Sequence, residues 1–185
     1  MAEGTFGFAD FGYAEYPYYE AELTNRGDAP SGIVEFVVDW FDENGGYVDD
    51  TTEELVSLSP GETWVARSYN VLNDEEVASA EGSGTYGYEL PAWPDGLEVV
   101  SSELLSGEEN VKVRATVRND TGRTVDYVAF YGKLYDVEMR VLGQVWTNET
   151  DLTDGSSWRA EREWDDRVRS GLVESHDVVL EGNTY

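Results

Sequence analysis

The sequence predicts an all-β protein made of two tandem antiparallel β-sandwich domains joined by a short proline-rich linker. Three observations predict this architecture. Apolar and polar residues alternate with a period of two, turn residues recur about every 8–12 residues, and residues 23–64 have an ungapped counterpart at residues 117–158. Short, regularly spaced strands of this kind are typical of small sandwiches.

The alternation is clearest in two stretches. In residues 111–118, valine and alanine side chains share one face and polar side chains share the other, as in a half-buried strand. In residues 34–41, one face carries the apolar side chains of Val34, Phe36, Val38 and Trp40. The sequences 119–122 and 42–46 follow these stretches and contain Asn, Asp and Gly, which favour turns.

A constant offset of 94 residues relates the two halves of the chain. Seven of the 42 aligned positions are identical, and others keep their character, as Phe41 and Tyr135 do. The identical pairs are Asn25/Asn119, Val34/Val128, Phe36/Phe130, Asp42/Asp136, Leu58/Leu152, Gly61/Gly155 and Trp64/Trp158. This offset is the length of a small domain and is too long for a solenoid repeat. The sequence therefore predicts a duplicated unit.

The expected domain boundaries follow from the proline-rich stretch between the copies. We expect a first domain at 1–89, a linker at 90–96 and a second domain at 97–185. Pro91, Pro94 and Gly96 oppose both helix and central strand. Trp93 lies between the two prolines, where it either packs at the domain junction or binds a ligand from an exposed position.

The charge of the chain indicates the environment. The sequence has 39 Asp and Glu against 12 Lys and Arg, a net charge of −27, and only two of the cations are lysines. Carboxylates at this density repel one another in dilute salt, and molar salt screens that repulsion. Acid-rich, lysine-poor surfaces are typical of proteins from extreme halophiles. The alternatives are an ordinary acidic protein and an acidic partner for a cationic target.

The same composition excludes several classes of function. Nucleic acids and anionic membranes are disfavoured because their binding requires clustered Lys and Arg. The chain has no Cys and a single His, so thiol nucleophiles, Cys-ligated metals and multi-His metal sites are excluded. No apolar stretch is long enough to span a bilayer, and residues 1–5 lack the features of a signal peptide. We expect no cofactor.

Residues 130–136 read Phe-Tyr-Gly-Lys-Leu-Tyr-Asp, and with their flanks they resemble the FxLYD domain family, which is common in exported proteins of halophilic archaea. The likeness covers about 97–182, and its stretches are 97–104, 117–122, 128–136, 146–148 and 152–158. The first copy resembles the family more loosely over about 5–86, with Trp40-Phe41-Asp42 in place of Leu-Tyr-Asp.

The resemblance implies immunoglobulin-like sandwiches, export, and in many members a lipid anchor on an N-terminal segment that is removed from this chain. It implies no known enzymatic activity. One departure from the family is Val137-Glu138-Met139-Arg140, which replaces the usual Asp-Gly turn after the motif. We therefore expect this hairpin to differ from its counterpart.

No catalytic motif is apparent in the sequence. His176 is flanked by Ser175 and Asp177, but adjacent residues of a strand point to opposite faces and form no triad through local spacing. Paired carboxylates occur throughout, so their presence does not single out a hydrolase site. We expect no enzymatic activity.

The sequence Asp42-Glu43-Asn44-Gly45-Gly46 has two interpretations. Asp42 and Asn44 could ligate calcium, which needs six to eight oxygen ligands. The distal Glu of an EF-hand loop is missing at the required spacing, and the second copy lacks the Asn and the Gly. The alternative is a plain hairpin turn.

Aromatic residues are the candidates for binding. The outer face of the motif strand carries Phe41 in one copy and Tyr131 and Tyr135 in the other, and an exposed patch there would mark an interface. A further set crowds the first 19 residues: Phe6, Phe8, Phe11, Tyr13, Tyr16, Tyr18 and Tyr19. This set forms either a platform for sugars or a partner strand, or two strands whose rings pack across the pair and into the core.

Asn119 and Asn148 begin N-glycosylation sequons, and both would be open to modification in an exported protein. For Asn119 the alternative is a role in its turn.

These observations predict a non-catalytic extracellular or cell-surface module of a halophile. It would bind a protein or a surface polymer through sheet faces or edge strands, or act as a structural spacer. The alternatives are a cytosolic salt-adapted adaptor and a carboxylate-based hydrolase.

Overall fold

A computed structural model describes residues 3–72, 76–88, 94–107 and 110–183. This part of the chain is all-β, as predicted, and its one helical element is a single 3-10 turn at Ser170–Leu172. The strands are β1 Gly4–Asp10, β2 Glu15–Thr24, β3 Ile33–Phe41, β4 Tyr47–Val56, β5 Thr63–Tyr69, β6 Ser79–Tyr88, β7 Leu97–Ser106, β8 Val111–Asn119, β9 Val125–Tyr135, β10 Val141–Leu152, β11 Ser157–Glu163 and β12 Ser175–Asn183.

The chain divides into two compact units. One contains Met1–Glu89 with Arg140–Gly143, and the other contains Leu90–Met139 with Gln144–Tyr185. Residues 90–93 of the predicted linker, which include Trp93, lie outside the described residues.

In the first unit, β2 pairs antiparallel with β1 and β5, and β3 pairs antiparallel with β4 and β6. The alternation along β3 is confirmed, because one of its faces is buried and the other is half-buried. Phe36 and Trp40 from the buried face are at most 1% exposed. Phe36 packs edge-on against Trp64 of β5 at a centroid distance of 6.4 Å, so this contact joins β3 to β5 in the core.

In the second unit, β8 pairs antiparallel with β7 and β11, and β9 lies between β10 and β12. The alternation along β8 is confirmed, because Val111, Val113, Ala115 and Val117 are at most 1% exposed. When β1–β6 are matched in order to β7–β12, each strand of the second unit has the same neighbours as its counterpart in the first unit: β7-β8-β11 corresponds to β1-β2-β5, and β10-β9-β12 corresponds to β4-β3-β6.

The hydrogen bonds around Asn25 repeat around Asn119. The Asn25 side-chain nitrogen donates to the carbonyl oxygens of Ala29 and Leu58, at 2.9 and 2.7 Å. The Asn119 nitrogen donates to those of Arg123 and Leu152, at 2.8 and 2.7 Å, which stand 94 residues further along. In both copies the backbone N–H of the second residue after the Asn donates back to its side-chain oxygen. This identical Asn pair thus performs one structural task twice.

Candidate functional site

An aromatic surface lies on the outer side of β2 and β5 in the first unit. Because β2 and β5 are antiparallel, Tyr18 lies opposite Tyr69. Phe11, Tyr13 and Tyr16, from the β1–β2 turn and the start of β2, complete the set. We call Phe11, Tyr13, Tyr16, Tyr18 and Tyr69 the aromatic cluster.

Most of the ring contacts in the aromatic cluster are edge-to-face. Phe11 lies 5.3 Å from both Tyr16 and Tyr69, centroid to centroid, with interplanar angles of 73° and 79°. Tyr13 lies 6.3 Å from Phe11 and from Tyr16 and is 76% exposed. The other four rings are half-buried. Such edge-to-face packing is the favoured geometry for aromatic pairs, and it holds the cluster in place without any ligand.

A cation lies over the cluster. The Arg67 guanidinium is 4.3 Å from the centroid of the Tyr18 ring, which is within cation–π range. Its Nε donates to Glu20 at 2.8 Å and its Nη1 donates to the Tyr69 hydroxyl at 3.4 Å. Burial opposes the charge of Arg67, but the interactions with Tyr69 and Glu20 outweigh it and raise its pKa. The cluster therefore presents fixed rings beside a persistent positive charge.

The N-terminal aromatics do not all join this surface. Tyr19 points to the opposite side of β2, is 6% exposed, and stacks on Phe36 at 6.3 Å. Phe6 and Phe8 pack edge-on against each other at 5.4 Å, and their cross-strand partners are Tyr19 and Pro17. The aromatic set is thus divided, since part of it packs with the core and part of it forms the outer cluster.

The other predicted binding residues lie apart from the cluster. Phe41 is half-buried and packs edge-on against Tyr47 at 6.3 Å. Tyr131 is half-buried, and its hydroxyl donates to Glu181 at 3.0 Å. Tyr135 is only 6% exposed, so it offers little surface to a ligand.

Asp42 and Asn44 lie in a hairpin turn. One Asp42 carboxylate oxygen accepts the backbone N–H groups of Asn44 and Gly46, both at 2.8 Å. The Asp42 carbonyl oxygen accepts the N–H of Gly45 at 3.1 Å. Within the described ranges, no cluster of three or more Asp, Glu or His side chains is placed to hold a metal ion. The geometry at Asp42 is that of a turn closed by its own carboxylate.

The two sequon asparagines differ in exposure. Asn119 is fully buried, and its side-chain nitrogen, the atom that would carry a glycan, donates both of its hydrogens to carbonyl oxygens. A glycan on the folded chain would break both bonds. Asn148 is exposed on β10.

His176 lies at the start of β12 and has no local catalytic partner. Its Nε2 is buried, and no hydrogen-bond partner for it occurs among the described residues. Ser175 contacts the Met139 sulfur at 3.8 Å, and Asp177 accepts the N–H of Val178. Burial lowers the pKa of His176, while the charge of Asp177 acts in the opposite direction.

A second surface, on β7, β8 and β11, is charged. Arg114 bridges Glu103 on one neighbouring strand and Glu161 on the other, and Lys112 pairs with Glu163. The hydrogen bond from Arg114 lowers the pKa of Glu161. These cross-strand ion pairs connect three strands but are largely exposed, so each adds little stability.

Arg67 and Tyr69 are the site residues that the sequence analysis missed. They lie about 50 residues beyond the N-terminal aromatics, and only the register of β2 with β5 brings the two segments together. The apolar run Trp64-Val65-Ala66 is compatible with a strand, but the sequence does not specify which strand pairs with it.

Comparison with known proteins adds no assignment, because no family model matches the chain and no curated protein matches it significantly. The described residues contain no helix of the length and apolarity that a membrane crossing requires.

Proposed function

We propose that this protein is a non-catalytic interaction module of the halophile cell surface, built from two tandem immunoglobulin-like sandwich domains. It binds a protein or a surface polymer, and the aromatic cluster is the contact surface. The observation that carries the proposal is the grouping of five aromatic rings with Arg67 on one sheet face. Tyr and Arg are enriched at the energetic centres of binding surfaces.

The repeated hydrogen bonds support the tandem arrangement. Strand neighbours, the Asn25 and Asn119 networks, and the turns after β3 and β9 all agree at an offset of 94 residues. Independent sequences seldom repeat long-range side-chain bonds at one constant spacing. We infer that each compact unit descends from one ancestral domain, with residues 90–96 as the linker.

The FxLYD resemblance remains part of the proposal, and with it export and a lipid anchor. Asn119 and its acceptor Leu152 both fall within the resembling stretches, whereas the hairpin after β9 contains the departure from the family at residues 137–140. The net charge of −27 supports the halophilic origin. The cell-surface location rests on the resemblance alone.

Co-sedimentation with isolated cell envelopes of a halophilic archaeon, in 3 M KCl, tests the proposed function. The wild type should sediment with the envelopes, and the double variant Tyr13→Ala/Tyr16→Ala should lose at least tenfold in binding. Tyr47→Ala is the matched control, because Tyr47 is also an exposed tyrosine, at 61%, of the first unit. Protease treatment of the envelopes before mixing distinguishes a protein ligand from a polymer.

Two outcomes would count against the aromatic cluster. One is equal sedimentation of the wild type and the double variant, and the other is equal loss in the double variant and in Tyr47→Ala. Absence of wild-type binding at micromolar protein would contradict the cell-surface function itself. Circular dichroism of each variant in the same buffer confirms that it is folded.

A further inference from the structure

A groove of about 420 Å³ with an apolar wall opens at the far end of β2 in the first unit. Its apolar lining comes from Leu23, Val34, Leu58 and Gly87, and its polar lining comes from Glu22, Thr24, Asn25 and Ser31. The aromatic cluster lies at the opposite end of β2, so the groove is a separate feature.

In the second unit, the equivalent position is filled. Leu97 begins β7 opposite Asn119, the counterpart of Asn25, and is 4% exposed. Its Cδ2 comes within 3.0 Å of the place that a Cβ of Gly182 would occupy, and Pro94 comes within 3.3 Å. Gly182 lies opposite Val128 on β9. At the start of β7, Leu97 therefore packs against Gly182, which has no side chain to exclude it.

In the first unit, the same glycine is present and the leucine is not. Gly87 lies opposite Val34, as Gly182 lies opposite Val128. The atoms nearest to the Cβ position of Gly87 are backbone oxygens at 3.8 and 3.9 Å. Leu23 is half-buried, whereas its counterpart Val117 is 0% exposed. The lining thus resembles that of the second unit, but no side chain of the described residues comes within 4 Å of the Cβ position of Gly87.

The strand edge beside the groove is also open within the described residues. β1 pairs with β2 from Asp10↔Glu15 to Gly4↔Ala21, whereas β7 continues along β8 as far as Asn119. Residues 23–25 therefore lack, from the described part of β1, the partner that Leu97–Val99 give to residues 117–119. Unpaired strand edges accept further strands through backbone hydrogen bonds.

We propose that this groove binds an extended segment of another polypeptide, which adds antiparallel to β2 at residues 22–25 and inserts one leucine-like side chain beside Gly87. The occupant is defined by the second unit, where Leu97 in an extended strand occupies the matching space. This inference goes beyond the aromatic cluster, and neither depends on the other.

The probe is an acetylated and amidated peptide that copies residues 94–100, Pro-Asp-Gly-Leu-Glu-Val-Val, with a fluorescent label. Its binding to the intact chain is followed by anisotropy in 2 M KCl, which screens the acidic charges on both molecules. Saturable binding is expected. The same peptide with Asn in place of Leu should bind at least tenfold more weakly, because the aliphatic contact is lost while the backbone pairing remains.

Gly87→Leu is the blocking variant, since its side chain would occupy the groove, and binding should fall at least tenfold. Gly171→Leu is the matched control, because Gly171 also has open space around its Cβ position and lies in the second unit. It should bind the peptide as the wild type does. Amide resonances of residues 22–25 should shift on binding.

The proposal is overturned if the wild type shows no saturable binding up to 1 mM peptide, or if the Leu and Asn peptides bind equally. Equal binding to the wild type and to a Gly87→Leu variant that melts at the wild-type temperature would also overturn it. The two-peptide comparison uses the unmodified protein, so it remains decisive if Gly87→Leu fails to fold. Envelope binding by the aromatic cluster is measured separately.

Discussion

Gly45 and Met139, 94 residues apart, hold the same left-handed backbone position in two similar turns. Their φ angles are +77° and +62°. In both turns the N–H of this residue donates to the carbonyl oxygen of an aspartate three residues earlier, Asp42 or Asp136, at 3.1 and 3.0 Å. The expectation that the second hairpin would differ is therefore wrong. The side chain of the aspartate, which caps the turn in both copies, fixes the conformation without glycine.

Met139→Gly should stabilise the second unit by about 0.5–1 kcal/mol. A left-handed conformation costs a non-glycine residue roughly 1–2 kcal/mol, and the greater freedom of glycine in the unfolded chain offsets part of the gain. The Met139 side chain is 62% exposed, so little packing is lost. Thermal unfolding in 2 M KCl measures the change. The reverse substitution, Gly45→Met, should destabilise the first unit by a similar amount, and a stabilising Gly45→Met would contradict this account.

Asn119→Ala should cost about 2–4 kcal/mol of unfolding free energy. The substitution removes four hydrogen bonds, two donated by the Asn119 nitrogen and two accepted by its oxygen from Thr121. The Arg123 carbonyl keeps the Thr121 hydroxyl as a donor, but the Leu152 carbonyl loses this donor at a buried position, where an unsatisfied group costs about 1–3 kcal/mol. Asn25→Ala should cost less, because Asn25 is only half-buried and water can replace the lost donor. Urea unfolding in 2 M KCl gives both values. Asn148→Ala, at an exposed position, is the control, and a loss there equal to that of Asn119→Ala would refute the argument.

The outcome at β9 shows what a period-two pattern determines. The pattern placed Phe130 on the inner face and Tyr131, Lys133 and Tyr135 on the other, by analogy with β3. In the structure Lys133 and Tyr135 are 2% and 6% exposed. Alternation identifies the side chains that share a face, but it carries no information about whether that face is covered. The binding role predicted for Tyr135 depended on exposure, which only tertiary structure decides.

The repeat was the strongest predictor of structure. Because the offset of 94 residues is constant, it located Asn25 and Asn119 as equivalent before any contact was known, and their hydrogen bonds agree. The aromatic cluster was predicted in part, since Phe11 to Tyr18 are close in sequence. Tyr69 reaches them through the β2–β5 register, which one sequence does not specify. The groove beside Gly87 was not predictable, because it is defined by a missing neighbour.

Stability should fall as the pH decreases from about 7.5 to 5.5, and His176 should account for part of the fall. Burial lowers the folded-state pKa of His176 below its ordinary value of 6.5. Below pH 6.5 the unfolded chain therefore binds a proton that the folded chain resists, and protonation favours unfolding. This contribution is fully present above pH 6.5 and is lost as the pH falls towards the folded-state pKa.

The comparison is with His176→Gln, which does not titrate in this range. Urea unfolding of both proteins at pH 7.5, 6.5 and 5.5 in 2 M KCl gives the two slopes. The variant should lose less stability over this interval. Identical slopes would mean that His176 is as readily protonated in the folded protein as in the unfolded chain.

The melting temperature should rise steeply with salt between 0.05 and 2 M KCl. The folded chain carries a net charge of −27 on a surface of 10030 Å², and compaction brings those carboxylates closer than they are in the unfolded chain. The Debye length shrinks from about 10 Å at 0.1 M to about 3 Å at 1 M, so most of the repulsion disappears in that interval. The fold should lose stability below about 0.5 M salt, where screening is incomplete.

Tetramethylammonium chloride in place of KCl separates general screening, which both salts provide, from specific binding of potassium. A melting temperature that stays constant from 0.05 to 3 M would eliminate the halophilic interpretation and leave the two alternatives, an ordinary acidic protein and an acidic partner for a cationic target.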